Sequence, residues 1–124
     1  MLLDSDVMID ILRGYPPAVG WLASLGATPV GLPGLVAMEL LQGCRNQDEQ
    51  QRVERQLKRF TLRWPVEADF AGALLDLVTY RLSHNLGILD SLIGHTALGL
   101  REPLVTFNVR HNGVITGLTT IQPY

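Results

Sequence analysis

Short apolar runs separated by helix-length segments constrain this chain more than any other feature. Met1-Leu2-Leu3, Thr28 to Leu32, Thr61 to Trp64, Leu104 to Phe107 and Thr119 to Gln122 read as strands. Between them the sequence predicts helices over Val7–Leu12, Pro16–Leu25, Gly34–Arg45, Asp48–Phe60, Glu67–Ser83 and Asp90–Leu100. Gly14 and Gly26 stand just past two helix ends, Pro16-Pro17 opens one helix, and Asn46 is placed to cap another. The helix from Glu67 carries Phe70, Leu74, Leu77 and Val78 at helical spacing; the one from Asp48 is polar except for Val53, Leu57 and Phe60. The order β-α-α-β-α-α-β-α-α-β-β argues for a three-layer α/β/α sandwich with a short, mainly parallel central sheet. At 124 residues this is a single domain, 1–124.

Three carboxylates interrupt these apolar segments. Asp4 ends Met1-Leu2-Leu3, Glu39 sits within Leu35 to Leu41, and Asp90 divides Gly87-Ile88-Leu89 from Leu92-Ile93. An unpaired charge is costly in a core, so separated acids at such places make sense if the fold gathers them around a cation. Ligands of parallel sheets collect beyond the carboxyl ends of the strands. Asp4 follows the first strand at that edge and Asn108 follows the fourth, while Glu39 and Asp90 ride on helices entering from the same side.

Composition narrows the chemistry. The net charge is −2, so no bulk basic field advertises a nucleic-acid partner. A lone Cys44 excludes an internal disulfide framework and fits a reducing cytoplasm. Asp4, Asp6 and Asp10 charge the N-terminus where a secretory signal would need a basic and then an apolar stretch. The longest nearly apolar stretch, Val30 to Leu41, is too short for a bilayer, so the expectation is a cytoplasmic protein without a membrane partner. Zinc is disfavoured because His84, His95 and His111 show no ligand spacing with each other or with Cys44. Hard ions such as Mg²⁺ need a few carboxylates and keep several waters.

Four segments together resemble the PIN-domain ribonucleases, and more narrowly the VapC toxins of bacterial toxin–antitoxin pairs. They are Leu3-Asp4-Ser5-Asp6-Val7-Met8-Ile9-Asp10, the mid-chain Glu39, Leu89-Asp90-Ser91-Leu92-Ile93-Gly94-His95-Thr96, and Leu104-Val105-Thr106-Phe107-Asn108-Val109-Arg110-His111. The resemblance runs the length of the chain, and it implies a Mg²⁺-dependent endoribonuclease, with Mn²⁺ as an alternative ion, acting on RNA of the translation machinery. It implies Asp4, Glu39 and Asp90 as catalytic acids and metal ligands, with Asn108 as a fourth ligand. Ser5, Thr106 and Arg110 would meet the substrate. A homodimer and a VapB-type antitoxin are the implied partners. Asn108 stands where the family often has a fourth acid, which removes one negative charge. Asn112 stands where an aromatic is common.

Plainer readings compete at several positions. Asp6 reads first as a helix cap, with a supporting role in the site as the alternative. Asp90 is suited to cap its helix whether or not it holds a metal. Arg13, Arg101 and Arg110 read either as phosphate contacts or as exposed solubilising charge. Arg52, Arg55, Lys58 and Arg59 read as a solvated face with pairs such as Glu54–Lys58, or as an arm that grips RNA or a partner. Trp21 and Trp64 are expected in the core, and the histidines in structural or surface roles. A phosphatase of the haloacid-dehalogenase type would also begin Asp4-Ser5-Asp6-Val7, but it needs a positioned Lys and a later acidic pair. Lys58 is the only lysine and lies on the polar helix. A PIN-like binding module that has lost catalysis is the remaining alternative.

Overall fold

The computed structural model describes the whole chain, residues 1–124. It runs β1 (Leu2–Leu3), α1 (Ser5–Leu12), α2 (Pro16–Ser24), β2 (Gly31–Pro33), α3 (Gly34–Gln42), α4 (Gln47–Leu57), β3 (Thr61–Arg63), α5 (Glu67–His84), α6 (Ile88–Leu100), β4 (Leu104–Val105), α7 (Val109–Asn112) and β5 (Thr120–Ile121). Every strand pairing is parallel, in the order β3-β2-β1-β4-β5, and helices flank the sheet in the expected three layers.

β1 lies at the centre, where both faces of the sheet are covered, which is why its two residues are leucines and neither is exposed. Leu2 and Leu3 pack with Val7, Met8, Leu32, Val36, Ile93, Ala97, Leu104 and Val105 in one continuous core. The chain builds β2 and β3 on one side of β1, then crosses to build β4 and β5 on the other. That reversal makes the carboxyl ends of β1 and β4 the switch point of the sheet, the place where such folds leave a crevice. Leu3 pairs with Val105, so Asp4 and Thr106 emerge side by side there.

Local chemistry sets the element ends. Gly14 takes φ +70, a left-handed conformation that costs glycine nothing, and closes α1. Asn46 caps α4, its side-chain oxygen accepting the Glu49 N–H at 2.9 Å. Val53, Leu57 and Phe60 form the half-buried to buried stripe on which the otherwise polar α4 and its exit rest.

Four details differ from the sequence reading. Asp90 is not the cap of its helix: α6 begins at Ile88, Gly87 is the cap, and Asp90 sits in the first turn. A four-residue helix, α7, precedes β5 where none is expected. Glu54 does not pair with Lys58 but accepts from the Gln50 amide at 3.0 Å. Trp64 is 52% exposed rather than core, because it follows the edge strand β3 and lies across Gly34, whose missing Cβ leaves room for the indole.

The stripe on α5 is the largest departure. Phe70, Leu74 and Val78 face outward, Val78 at 80% exposure, and Leu75, Leu82 and Ile88 extend the same apolar surface. The side of α5 turned to α6 carries Asp69, Ala73 and Asp76 instead. Asp69 accepts the Val66 N–H at 2.9 Å and lies against Gly99, and Asp76 meets the ring of His95 at 2.6 Å.

Candidate active site

The switch point gathers a hydrogen-bonded acidic network. Asp4 is 5% exposed. Its Oδ1 accepts the Ser5 N–H at 2.7 Å, and its Oδ2 accepts the Thr106 hydroxyl at 2.9 Å. The same hydroxyl stands 3.2 Å from Asp6 Oδ2, so its single proton is shared between two carboxylates. Asp6 Oδ2 also accepts the Phe107 N–H at 2.9 Å, and its Oδ1 accepts the Val7 N–H at 2.7 Å. The Asn108 N–H donates to Thr106 Oγ1 at 2.9 Å. Asp4 also donates its own N–H to the Val105 carbonyl at 3.0 Å, which ties it to the end of β4.

Glu39 and Asp90 reach this network from α3 and α6. Burial drives the Asp4 carboxyl from its ordinary 3.8 up to about 6; the charge of Asp6 adds to the push and that of Asp90 adds less, while the Ser5 N–H and Thr106 hydroxyl pull back. Glu39 is also held above its usual range, first by burial and then by Asp90, with the Ser5 hydroxyl acting the other way. Its Oε2 is buried without a hydrogen-bond partner. No Lys, Arg or His forms an ion pair with Asp4, Asp6, Glu39 or Asp90. Leaving a buried carboxylate oxygen unpaired and like charges uncompensated costs free energy. A cation together with the waters it carries would remove both costs.

The acids do not form a closed cage: no three carboxylate or imidazole groups are arranged to enclose an ion directly. An ion held there would have to keep much of its own water, as Mg²⁺ does. The donor set is all oxygen, which fits Mg²⁺ or Mn²⁺ and not zinc.

The remaining expected site residues fall into two groups. Ser5 sits beside Asp4 and Glu39 at the mouth of a groove of about 610 Å³ that runs between α1, α3 and α4. Thr106, expected at the substrate, is fully buried and its hydroxyl is spent on Asp4, Asp6 and Asn108, so it acts by holding the acids in place. Asn108 enters the network through its backbone, and its side chain makes none of these bonds. Arg110 lies on α7, exposed and unpaired. Asn112 is 2% exposed, its amide donating to the Asn108 carbonyl at 3.0 Å, so it pins the turn after β4 where an aromatic would fill space.

Asp6 is the residue that the sequence reading placed second. It is not the cap of α1, which is Asp4; it lies in the first turn and bridges α1 to the turn after β4. Its position two residues after Asp4 was the available signal, and capping explained that signal equally well.

Residues 1–114 match the family model for the PIN domain. The chain belongs to the PIN-domain family. Within it, the chain is 36% identical over 113 residues to the ribonuclease VapC10 of Mycobacterium tuberculosis, covering 90% of this chain and 84% of that protein. It is 32% identical over 126 residues to the ribonuclease VapC19 of the same organism, covering 89% and 90%. Among solved structures, a toxin–antitoxin complex from Klebsiella pneumoniae superposes with a TM-score of 0.72 at 26% identity, covering 99% of this chain and 97% of that one. VapBC from Salmonella typhimurium bound to DNA superposes with a TM-score of 0.79 at 20% identity, covering 97% and 95%. The fold of this PIN domain is therefore that of the VapC structures, and its sequence groups with the VapC branch. No helix of the chain is long and apolar enough to cross a membrane.

Proposed function

We propose that this PIN domain is a metal-dependent endoribonuclease, the toxin of a VapBC-type pair, that hydrolyses phosphodiester bonds in structured RNA of the translation machinery. The observation that carries the reading is buried Asp4 with half-buried Glu39 and Asp90 beside it at the sheet's switch point, none of them in an ion pair and Glu39 Oε2 left without a partner. The names of the two mycobacterial relatives support the same activity.

Asp4, Glu39 and Asp90 hold the ion, with the side-chain oxygen of Asn108 as a neutral fourth contact. Mg²⁺ or Mn²⁺, when bound, supplies charge relief to the acids, polarises a phosphoryl oxygen and makes water more acidic. Thr106 and Asp6 keep Asp4 in a fixed orientation through the shared hydroxyl proton. Glu39 Oε2 is the free acceptor that orients the attacking water. Ser5 and Arg110 contact the RNA on either side of the acids. Hydrolysis breaks one phosphorus–oxygen bond of the backbone and leaves one phosphate and one hydroxyl terminus.

The complexes seen for similar chains support a VapB-type antitoxin as the partner that silences the site. The outward apolar surface of α5, from Phe70 to Leu82, supports a homodimer, because a patch of this kind on a small domain usually marks an interaction site. RNA of the translation machinery places the working protein in the cytoplasm. Asn108 in place of a fourth acid favours one ion, and it keeps alive the reading of a binding module without catalysis.

Incubating the purified protein with structured cellular RNA and Mg²⁺ tests the reading. The parent should cut, EDTA should stop it, and Asp4→Asn and Asp90→Asn should lose at least a hundredfold in rate. Equal cutting by the variants would remove the site. A parent that neither cuts nor binds Mn²⁺ would leave the binding-module reading.

A further inference from the structure

Four of the nine arginines in this chain are already engaged. Arg45 is paired with Glu49, Arg63 with Glu102, Arg59 bonds Gln56 and Arg81 bonds Asn85. Arg13, Arg52, Arg55, Arg101 and Arg110 have neither an ion-pair partner nor a side-chain hydrogen bond. Arg13, Arg52 and Arg55 line the one groove whose mouth holds Ser5 and Glu39. Arg13 caps the end of α1 on one wall. Arg52 and Arg55 lie three residues apart on α4, a spacing that puts both on the same face of the opposite wall.

The charge pattern along this groove is polarised. At its mouth Glu39, with Asp4 next to Ser5 just beyond the lining, repels phosphate unless a cation offsets the charge, and its length carries guanidiniums, whose fork geometry suits phosphate oxygens. Glu49, the other acid on the lining, is hydrogen-bonded to Arg45, and Arg52 feels its charge without bonding to it. A strand with one phosphate at the acidic mouth and the next ones along the groove satisfies both ends. A peptide would use the apolar parts of the lining but would leave three cations unmatched.

We propose that Arg13, Arg52 and Arg55 form the substrate-phosphate wall of this protein, holding the RNA backbone on one side of the bond to be cut. The inference rests on the ribonuclease reading and extends it from the acids to the path of the strand. It also separates the basic residues of α4: Arg52 and Arg55 contact RNA, whereas Lys58 and Arg59 do not.

Fluorescence anisotropy with a labelled RNA stem–loop, in EDTA and over a range of salt, tests it. The parent should bind with a salt dependence that each of Arg13→Gln, Arg52→Gln and Arg55→Gln lowers by about 0.7 to 0.9 in log–log slope. The triple variant should bind at least tenfold more weakly at low salt. Arg52→Lys should keep the parental slope, and Lys58→Gln and Arg59→Gln should behave as the parent. Thermal melts confirm that each variant is folded. A triple variant with parental affinity and slope would overturn the proposal, and so would equal weakening by the Lys58 and Arg59 variants. Cleavage by Asp4→Asn separates the two readings. If that variant cuts RNA like the parent, the ribonuclease site is wrong whatever the arginines do; if it is inactive but the arginine variants bind normally, only the groove assignment falls.

Discussion

Asp4 shows how one side chain can be costly to the fold and central to the proposed chemistry. Its folded pKa, about 6, lies above the ordinary 3.8, so the native state holds the proton more tightly than the unfolded chain does. The stability that this contributes is fully present below about pH 4 and is lost as pH rises through about 6. In metal-free protein at pH 7, Asp4→Asn should therefore raise unfolding stability by on the order of 2 to 3 kcal/mol. At pH 4 the gain should nearly vanish. Urea unfolding in EDTA at the two pH values measures this, and a variant destabilised equally at both would contradict it. Thr106 is the complementary case. Thr106→Val removes the only proton shared by Asp4 Oδ2 and Asp6 Oδ2 and should cost about 1 to 3 kcal/mol, whereas Thr106→Ser should keep most of the stability and activity. Asp6 was hard to weigh from sequence because the same residue both sits in the first turn of α1 and accepts from β4's exit. Only the pairing of β1 with β4 reveals the second role.

Elements differ in how much of them can be read from the chain. The strands, the α4 cap at Asn46 and the stop at Gly14 follow from local preferences that tertiary structure did not override. The stripe Phe70, Leu74 and Val78 is equally regular, yet periodicity tells which residues share a face and not what that face meets. The side of α5 against α6 is occupied by small and polar groups whose partners, Gly99 and His95, lie far away in sequence. α7 was invisible because four residues are too few to establish a period. Helix α6 is fitted to its neighbours by glycine. A Cβ at Gly94 would collide with the Cδ1 end of Ile115, which is 2% exposed, so that side chain would have to turn within the core. Alanine normally improves a helix interior by about 1 kcal/mol, but Gly94→Ala should destabilise by about 1 to 3 kcal/mol through overpacking. Chemical denaturation decides the sign, and a stabilised variant would show that Ile115 packs loosely on α6.

At the scale of the whole molecule, a small domain leaves a broad apolar surface on α5 and α6 uncovered. The homodimer reading uses that surface. Leu74→Glu together with Val78→Glu should shift the protein to monomer in sedimentation equilibrium while leaving its melting temperature within a few degrees, because both residues are exposed in the single chain. A dimer unaffected by the pair would place the interface elsewhere. Of the site acids only Asp90 shares a helix with that surface, and the site itself lies at the point where the order β3-β2-β1-β4-β5 reverses. That location was legible from the strand order together with Asp4 and Asn108. The groove of Arg13, Arg52 and Arg55 was not, since which arginines are free depends on pairings such as Arg45 with Glu49 and Arg63 with Glu102.

Calorimetric titration of the metal-free protein with Mn²⁺ at pH 7.5 probes the acids themselves. The account predicts saturable binding to the parent, weakened at least tenfold in each of Asp4→Asn, Glu39→Gln and Asp90→Asn, with RNA cleavage lost in step. Undiminished Mn²⁺ binding by all three variants would contradict it.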